Sequence, residues 1–530
     1  MKLSELLFSR IQHTPDSIAF VVDERPIAVM DFEVRIQAAI VWLKDKGLKR
    51  GSVIALWMVN RLDWFVLLFA AARLGIIIVA VNTRYRSEEL SHILRSSGAS
   101  LLFTQASYKR IDFLSIVEQV LPSDVPELRE IVLVGEQVAT TFELPWSVGH
   151  FLPVVSDLLP LRDESNADDT VLLFPTSGTT KAPKLVMHPQ RTLADHARRC
   201  AEAYELKEHD ASLLLMLPVC GVFGLNAALA AFAAGAPVIV QEAFDAQDAG
   251  RLIKEYSVTH TFGSDEMFVR LCDVYKEERP FPSLRLCGFG AFTSSFTDSA
   301  NDCWDRGIPL HGMYGSSEVL AIFSGQPKHL PQAQKIEGGG RPVAGDEAKI
   351  RIRDTHTGKL LPAGQSGEIE ITGPSLFSGY FNNLDDTNKA FRDGYFVTGD
   401  LGHLRADGTL VYESRLGDAM RLGGHLVSPV EIEEILKKMH AVIDAHVVQA
   451  LVNDQPRAVA FLIIEKGLQV DLDEMTRELK NSIAAYKVPA KMWIVDEFPQ
   501  TQGPNGLKSS RVKLREMAIA MLCTEAQRTK

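Results

Sequence analysis

The stretch Phe174–His188, FPTSGTTKAPKLVMH, concentrates hydroxyl side chains, a glycine and lysines in a way that suits an anion. Glycine lets backbone N–H groups approach phosphate oxygens, hydroxyls donate further hydrogen bonds, and a lysine neutralises charge. The spacing is not that of a Walker A loop, because Pro183 stands five residues after Gly178 and no Lys-Ser/Thr pair follows. The alternative is a polar turn whose hydroxyls cap the next helix. The candidate phosphate-binding residues are Thr176, Ser177, Gly178, Thr179, Thr180 and Lys184.

Two later stretches carry groups that a nucleotide would need. In HGMYGSSEVLA, His311–Ala321, Tyr314 can stack on a base and Glu318 offers Mg²⁺ a hard oxygen ligand. In YFVTGDLG, Tyr395–Gly402, Asp400 follows a predicted strand, and its carboxylate suits bidentate contact with ribose hydroxyls. For both stretches the alternative is a polar turn at the end of a strand.

Alternating strands and helices must hold these stretches in place. Such alternation predicts crossover units and a mostly parallel, layered α/β sheet. Because open α/β sheets bind ligands at the carboxyl ends of their strands, the loop after the strand Val171–Phe174 is well placed for a ligand. The other predicted elements are helix Asp31–Lys46, strand Val53–Met58, helix Leu62–Leu74, strand Ile76–Val81, helix Ser87–Ser97 with Ser87 as its cap, and strands Val238–Val240, His260–Gly263 and Leu284–Gly288.

From about residue 341 the sequence becomes richer in short strands. Lys349–Arg353 and Gly367–Thr372 are separated by Gly, Pro and Asp turns, which predicts a smaller β-rich lobe. After the strand Leu410–Glu413, the pair Ser428-Pro429 begins a helix by cap-and-proline chemistry, and short α/β elements follow. The predicted domains are an N-terminal domain at 1–412 and a C-terminal domain at 413–530.

Composition excludes several classes of protein. The 530 residues carry a net charge of -11, which argues against a nucleic-acid partner. The six cysteines form no C-x-x-C pair, so we expect a reducing cytoplasmic setting rather than a zinc site or a disulfide framework. Ala211–Val240 is uncharged and long enough to span a membrane, but its prolines and glycines predict a buried strand-turn-helix-strand instead. Peripheral membrane contact stays open.

Taken in chain order, these stretches resemble the core motifs of the adenylate-forming superfamily, which includes acyl-CoA synthetases, adenylation domains and luciferases. Thr176–Lys184 matches the phosphate loop T-S-G-T-T-G-x-P-K, except that Lys181 replaces the last glycine. Tyr314–Glu318 resembles Y-G-x-T-E, with Ser317 in place of threonine, and Thr398–Asp400 is T-G-D.

The similarity continues to the end of the chain. The segment Pro499–Glu516 resembles the terminal lysine motif and makes Lys508 the counterpart of the adenylation lysine. Val81–Leu90 also looks like acyl-CoA synthetases. The hinge motif, R-x-x-D followed by a glycine pair and E-I-E, corresponds to Arg415, Asp418, Gly423–Gly424 and Glu431–Glu433.

The resemblance implies a fold and a reaction. The fold is α/β, with a large N-terminal domain of layered sheets and helices plus a β-rich lobe, and a small, mobile α+β C-terminal domain. The reaction is an ATP-dependent acid–thiol ligation. A carboxylate attacks the α-phosphate of Mg-ATP to give acyl-AMP and pyrophosphate, and coenzyme A then displaces AMP. ATP, Mg²⁺ and coenzyme A are the implied cofactors.

The resemblance also assigns roles to residues. Lys508 would bridge the carboxylate and the α-phosphate, Glu318 would hold Mg²⁺, and Asp400 with Arg415 would hold the ribose. Adenine would lie between Tyr314 and the backbone of Gly290, Ala291 and Phe292. Further expected nucleotide contacts are the loop Thr176–Lys184 with His311, Gly312, Met313, Gly315, Ser316 and Ser317. The expected acyl-pocket residues are Cys220, Gly221, Val222 and Phe223, and those on the thiol side are Gly423, Gly424 and His425.

Departures from the family pattern bear on substrate and mechanism. Gly221 stands where the acyl-pocket motif L-P-x-x-H-x-x-G commonly has histidine, so we expect the pocket floor to be enlarged or redirected. Gly417 replaces the usual Asp or Lys of the hinge and can pivot freely. The pocket candidates Cys220–Gly224 and Phe289–Phe292 carry no basic residue and no aspartate for an amine. This favours an aliphatic or aryl monocarboxylate, with fatty acid metabolism as one setting.

The sequence leaves the acyl acceptor open. One alternative is an acyl-AMP ligase that loads a carrier protein. A rival from another class is a catalytically inactive nucleotide-binding scaffold, which Lys181 and Gly417 motivate. The retention of Glu318, Asp400, Arg415 and Lys508 together argues against it. A dinucleotide oxidoreductase is excluded because Gly288–Thr293 lacks the third glycine of G-x-G-x-x-G. A homodimer is expected from fold analogy only.

Overall fold

The computed structural model describes residues 1–135, 144–153, 163–176, 183–290, 296–418, 420–422, 425–452, 455–483, 485–503 and 506–528. Of residues 296–298, 421, 425–426, 481–482, 501–503, 506–508 and 525–528 it describes the backbone alone.

Helices and strands alternate through most of the chain. The described helices are α1 Leu3–His13, α2 Val29–Asp45, α3 Leu62–Leu74, α4 Ser87–Ser97, α5 Phe113–Glu118, α6 Gln190–Ala203, α7 Val222–Ala234, α8 Ala246–Glu255, α9 Asp265–Val274, α10 Phe296–Asp305, α11 Gln332–Lys335, α12 Leu384–Lys389, α13 Pro429–Lys437, α14 Leu472–Ser482 and α15 Arg511–Arg528. The described strands are β1 Ile18–Val22, β2 Arg25–Ala28, β3 Val53–Trp57, β4 Ile77–Ala80, β5 Leu101–Thr104, β6 Ser107–Tyr108, β7 Ile111–Asp112, β8 Glu130–Leu133, β9 Ser147–His150, β10 Thr170–Pro175, β11 Leu185–Pro189, β12 Leu213–Leu215, β13 Val238–Val240, β14 His260–Ser264, β15 Leu286–Gly290, β16 Leu310–Tyr314, β17 Ser324–Gly325, β18 Gly339–Pro342, β19 Lys349–Arg353, β20 Gly367–Thr372, β21 Phe391–Arg392, β22 Tyr395–Leu404, β23 Leu410–Arg415, β24 Met420–Leu422, β25 His425–Val427, β26 Val442–Val452, β27 Gln455–Ile464, β28 Lys491–Ile494, β29 Gln500–Gly503 and β30 Gly506–Ser509.

Two sheets position the candidate site. The first has the order β11-β10-β4-β3-β5-β8-β9, and β10 runs parallel to β4 but antiparallel to β11. The second has the order β19-β20-β22-β23-β18-β17-β16-β15-β14-β12-β13-β1-β2, with β21 paired to β22. Strands β12 to β16 are parallel neighbours, whereas β17 to β23 are antiparallel and form the predicted β-rich lobe. The layered α/β prediction is therefore confirmed.

Helices without a polar face pack between these elements. α3 is buried over most of its length, and its charged Arg73 pairs with Glu33 of α2 at 2.5 Å. Gly75 then ends the helix in the left-handed region, at φ 66°. The segment Ala211–Val240 folds as β12, α7 and β13, as predicted. Among the described residues, no helix is both long and apolar enough to cross a membrane.

Several predicted boundaries are confirmed and others are wrong. α3, α4, β19 and β20 have the predicted bounds. The strand predicted at Leu284–Gly288 begins two residues later, and Ser87 is the first residue of α4 rather than its cap, because Arg86 takes the extended cap position. Asp400 does not follow a strand but lies inside β22. Gly399, at φ 69°, lets the strand continue through this irregular stretch.

The last part of the chain has hydrophobic clusters of its own. One joins α13 and α14 to β24, β26 and β27, and another joins α15 to the opposite side of β26 and β27. Every buried member of these clusters lies at or after Met420, whereas those of the larger clusters end at Leu410. The predicted boundary at 412/413 stays a prediction, and it falls within β23.

Candidate active site

The ends of the predicted phosphate loop are held together by two hydrogen bonds. The Thr176 backbone N–H donates to the Lys184 carbonyl at 2.8 Å, and the Lys184 N–H donates to Thr176 Oγ1 at 3.4 Å. These bonds continue the antiparallel pairing of β10 with β11, so Thr176 and Lys184 lie side by side at the end of the two strands. The predicted contacts Ser177, Gly178, Thr179 and Thr180, together with Lys181, lie outside the described residues.

Lys184 is held by two groups that the sequence did not indicate. Its Nζ lies 3.0 Å from Asp386 Oδ2 and 4.8 Å from the centre of the Tyr380 ring. The hydrogen bond from Lys184 lowers the pKa of the Asp386 carboxyl. Lys184 therefore points out of the hairpin towards the β-rich lobe, where its charge is paired with the Asp386 carboxylate.

Glu318 lies in a 3₁₀ turn, Ser317–Val319, directly after β16. Its Oε1 accepts a hydrogen bond from the Tyr380 hydroxyl at 3.0 Å, and its carbonyl accepts one from the Phe377 N–H at 2.8 Å. No hydrogen bond from the described residues reaches Oε2. Glu318 is also close enough to Asp400 to raise the pKa of that carboxyl.

Glu318 fits a magnesium ion that arrives with a nucleotide. The described residues contain no group of three or more His, Cys, Asp or Glu side chains able to hold a metal ion. Mg²⁺ usually takes one or two protein carboxylates and completes its shell with waters and substrate phosphates. A single carboxylate, Glu318, whose Oε2 has no hydrogen bond from the described residues, matches that pattern. A resident structural metal would need more protein ligands.

Asp400 and Arg415 face each other across β22 and β23, as the predicted ribose site requires. Arg415 Nε lies 3.1 Å from Asp400 Oδ1, and the Tyr314 hydroxyl donates to Asp400 Oδ2 at 2.7 Å. Burial raises the pKa of Asp400, and Arg415 and Tyr314 oppose that shift. Oδ1 is buried, and its contact with Arg415 Nε lacks hydrogen-bond geometry, so no described residue donates a hydrogen bond to it. A ribose hydroxyl could supply that missing donor.

Tyr314 closes the same site from the side of β16. Its ring is 7% exposed and lies 5.6 Å from the ring of Tyr412, a contact that the sequence did not indicate. A side chain at Gly315 would collide with the Ala321 carbonyl at 1.9 Å, so glycine is required for the turn. The Ser316 hydroxyl is buried without a hydrogen-bond partner among the described residues.

The other predicted nucleotide contacts are distributed unevenly. Gly312 and Met313 lie within β16, and Gly290 ends the neighbouring β15. Ala291 and Phe292 lie outside the described residues. His311 lies near the opposite end of β16 from Tyr314, in the wall of a separate cavity of about 290 Å³ that Tyr204 and Lys328 also line. The structure therefore brings Tyr314, Ser317, Glu318, Asp400 and Arg415 together but does not bring His311 to them.

The predicted acyl-pocket residues lie where β12 leads into α7. Gly221 is the cap residue of α7 and Val222 its first residue, while Cys220 and Phe223 are buried. The preceding turn is held by Asn60, another residue that the sequence did not indicate. Its side-chain amide donates to the Leu217 carbonyl and accepts from the Val219 N–H, at 2.9 and 2.8 Å.

The segment Val81–Leu90 forms a second wall beside Cys220. The Thr83 backbone contacts the Cys220 thiol, and the exposed Arg84 is near enough to influence the pKa of that thiol, which burial raises to about 11. Burial raises the pKa of Tyr85 to about 12, and Glu89 and Cys220 add to the effect. A basic side chain therefore stands near this candidate pocket, although none was expected within the pocket segments themselves.

The predicted catalytic lysine and the thiol-side residue His425 belong to two pairs of antiparallel strands. The Lys508 backbone pairs with Thr501 between β29 and β30, and the His425 backbone pairs with Leu422 between β24 and β25. Gly423 and Gly424 lie outside the described residues.

Glu433, from the predicted E-I-E motif, anchors the chain that follows Lys508. It is fully buried, and its carboxylate accepts hydrogen bonds from Arg511 Nη1 at 2.5 Å and Nη2 at 2.9 Å. It also accepts the Val447 N–H at 2.7 Å. Burial alone would raise the pKa of Glu433, but Arg511 and His446 outweigh it and hold the pKa far below its usual range. Arg511 is the first residue of α15, so this pair fixes the exit of the Lys508 hairpin.

Comparison with known proteins places the chain in a family. Residues 7–381 match the family model of the AMP-binding enzyme, and residues 431–503 match that of the AMP-binding enzyme C-terminal domain. The chain is 29% identical over 503 residues to a 2-succinylbenzoate–CoA ligase from Bacillus licheniformis, across 93% of this chain and 96% of that protein.

Solved structures share the fold. The anthranilate CoA ligase AuaEII in complex with anthranoyl-AMP has a TM-score of 0.82 at 22% identity, over 99% of this chain and 98% of that one. The o-succinylbenzoate CoA synthetase from Bacillus subtilis in complex with ATP and magnesium ion has a TM-score of 0.75 at 24% identity, over 93% and 96%. The resemblance drawn from the motifs is thereby confirmed. This chain belongs to the family of AMP-binding enzymes.

Proposed function

We propose that this protein is an ATP-dependent carboxylate–CoA ligase that forms an acyl-AMP intermediate and releases pyrophosphate. The observation that carries the proposal is the convergence of Glu318, Asp400, Arg415 and Tyr314 beside the Lys184 hairpin. In one region of the N-terminal part of the chain, these groups would supply a ribose anchor, a magnesium ligand and a cation for the phosphates. The family match and the CoA-ligase names of its relatives support the same reaction.

The first half-reaction requires a carboxylate to approach a polyphosphate against like-charge repulsion. Mg²⁺ bound with ATP would screen part of the phosphate charge. Asp400 holds the ribose and so fixes the position of the α-phosphate. Lys184 and the loop that it ends stabilise the negative charge of the departing pyrophosphate. Such fixed positive charge and geometry lower the barrier because they need no reorganisation during the reaction. Lys508 would add the charge that bridges the attacking carboxylate and the α-phosphate.

The second half-reaction transfers the acyl group from AMP to the thiol of coenzyme A. We propose that 1–412 binds ATP and acid, and that 413–530 works as a lid which presents first Lys508 and then the predicted thiol-side residues Gly423, Gly424 and His425. The separate hydrophobic clusters after Met420 and the exposed Gly417 turn support a unit that can rotate. Transfer to a carrier protein, a homodimer and a cytoplasmic location stay predictions.

We further propose that the acid is an aromatic carboxylate. The names of the relatives specify 2-succinylbenzoate and anthranilate, both of which carry an aryl ring. The apolar residues at the start of α7 suit such a ring, and Gly221 leaves space where a histidine would stand. An aliphatic substrate and a role in fatty acid metabolism remain the alternative, so the test includes straight-chain acids.

The test is product analysis by mass spectrometry after incubation with ATP, Mg²⁺ and one acid at a time, with and without coenzyme A. We expect an acyl-AMP without coenzyme A and an acyl-CoA with it, for aryl acids above straight-chain acids. Lys508→Ala should abolish acyl-AMP, while Lys466→Ala, an exposed lysine in the same domain, should not. Acyl-AMP that never becomes acyl-CoA would indicate a carrier-protein acceptor. Absence of both products with every acid, despite ATP binding, would contradict the proposal and leave the scaffold.

A further inference from the structure

A strap at 377–381 joins the two motifs that would bind Mg-ATP. Along β11, the Phe381 N–H donates to the Leu185 carbonyl at 2.8 Å and the Met187 N–H donates to the Gly379 carbonyl at 3.0 Å. At its other end the Phe377 N–H donates to the Glu318 carbonyl. The strap therefore runs from the hairpin that carries Lys184 to the turn that carries Glu318.

Tyr380 stands at the centre of this strap and contacts both charged side chains. Its hydroxyl donates to Glu318 Oε1 at 3.0 Å, and the Lys184 ammonium lies over its ring at 4.8 Å. The residue is 8% exposed, and its backbone N–H is fixed by Thr387 Oγ1 at 2.8 Å. The ring packs 5.0 Å from Phe377. These contacts leave the side chain little freedom to rotate.

The chemistry of a tyrosine suits this double contact. The neutral phenol has one proton, and donating it to Oε1 orients the carboxylate and leaves Oε2 to a cation. The face of the ring carries partial negative charge, which attracts an ammonium group without competing with a phosphate for its protons. Asp386 holds the same ammonium through an ion pair at 3.0 Å, so Lys184 is oriented before any nucleotide arrives.

We propose that Tyr380 is a positioning residue for Mg-ATP, whose hydroxyl orients Glu318 for magnesium and whose ring seats Lys184 for the phosphates. The proposal rests on the proposed function, because it assigns Glu318 and Lys184 their roles in ATP binding. Tyr380 would act through Glu318 and Lys184 and would itself touch neither the nucleotide nor the reacting carboxylate. Its effect is to reduce the conformational freedom that the two charged side chains would otherwise lose on binding.

Two variants separate the two contacts. Tyr380→Phe removes the hydroxyl and keeps the ring, whereas Tyr380→Leu removes both. Tyr395→Phe is the matched control, because Tyr395 lies in the same lobe and its ring is covered by Arg351 rather than by a residue of the site. ATP affinity is measured by isothermal titration calorimetry with and without Mg²⁺, and the thermal unfolding midpoint of each variant is recorded.

We expect Tyr380→Phe to weaken ATP binding in the presence of Mg²⁺ by about 10-fold, the worth of one hydrogen bond to a charged group. Without Mg²⁺ its ATP affinity should equal that of the wild type, and Tyr395→Phe should match the wild type in both conditions. Tyr380→Leu should lower ATP affinity in both conditions, since the Lys184 ammonium loses its contact with the ring as well.

Two results would overturn the proposal. One is a Tyr380→Phe protein with unchanged ATP affinity in the presence of Mg²⁺. The other is an equal loss with and without Mg²⁺, accompanied by a lower unfolding midpoint, which would indicate a purely structural role. Because these readouts measure binding, they are independent of turnover. A wild type that binds Mg-ATP but releases no pyrophosphate would instead refute the proposed function alone.

Discussion

Replacing Asp400 with asparagine should make the protein more stable and a poorer binder of ATP. Burial raises the pKa of Asp400, so the folded protein holds a carboxylate that is desolvated at neutral pH. Each unit of such a rise costs about 1.4 kcal/mol of folding free energy. Asparagine keeps an acceptor for the Tyr314 hydroxyl. The Arg415 side chain is 57% exposed, so water can solvate its guanidinium when the carboxylate is removed.

The expected gain in stability is about 1 kcal/mol, because the ion pair with the half-exposed Arg415 offsets only part of the desolvation of Asp400. In differential scanning calorimetry this corresponds to a rise of about 1–3 °C in the midpoint of the N-terminal unit. The sign depends on pH. A carboxyl whose pKa is raised on folding destabilises the protein as pH rises above its unfolded value, so the gain should vanish below about pH 4.

The expected loss in binding is larger than the gain in stability. Two ribose hydroxyls would exchange a charged acceptor for a neutral one, which costs about 2–3 kcal/mol, or about 30- to 150-fold in ATP affinity. Calorimetric titration with ATP measures it, with Asp273→Asn, an exposed aspartate on α9, as the control. An Asp400→Asn protein that is less stable than the wild type at pH 7, or that binds ATP equally well, would refute the reasoning.

Three further predictions concern other parts of the chain. Gly417→Ala should raise stability by about 0.4–1 kcal/mol, because an added Cβ meets nothing within 4 Å, and it should slow acyl-CoA formation relative to acyl-AMP formation in single-turnover assays if the hinge needs glycine. Glu433→Gln should destabilise the C-terminal unit by about 3–5 kcal/mol because it leaves Arg511 without its carboxylate. Hydrogen exchange in β26 measures this loss. In the wild type the stability that Glu433 contributes should decrease as pH falls below about 4.5. Asn60→Ala should lower acid-dependent activity by raising KM for the acid, since the turn before α7 loses its hydrogen bonds, while the KM for ATP should stay unchanged.

Much of the fold could be predicted because local signals there agree with the tertiary environment. Leu62–Leu74 is apolar except for Asp63 and Arg73 and stops at Gly75, and its helix is buried with those bounds. Ala211–Val240 is interrupted by glycine and proline where its turns occur. The ordered motifs predicted the family, which the match over residues 7–381 confirms.

What the sequence could not predict depends on pairing between distant segments. Tyr380 and Asp386 contact Lys184 only because the strap pairs with β11, which lies far earlier in the chain. Asn60 ends a loop after β3, and its contacts with the turn before α7 follow from the layering of two sheets. The prediction that Asp400 follows a strand is wrong because Gly399, with its left-handed backbone, continues β22 through this stretch.

Carboxylate-dependent exchange of pyrophosphate into ATP tests the central claim most directly. With an aryl acid and Mg²⁺ the wild type should catalyse exchange without coenzyme A, and Glu318→Gln should lower it while Glu347→Gln, an exposed glutamate, leaves it unchanged. Exchange that requires no acid, or the absence of exchange with any acid despite measurable ATP binding, would contradict the assignment of this site as the centre of an acid-activating ligase.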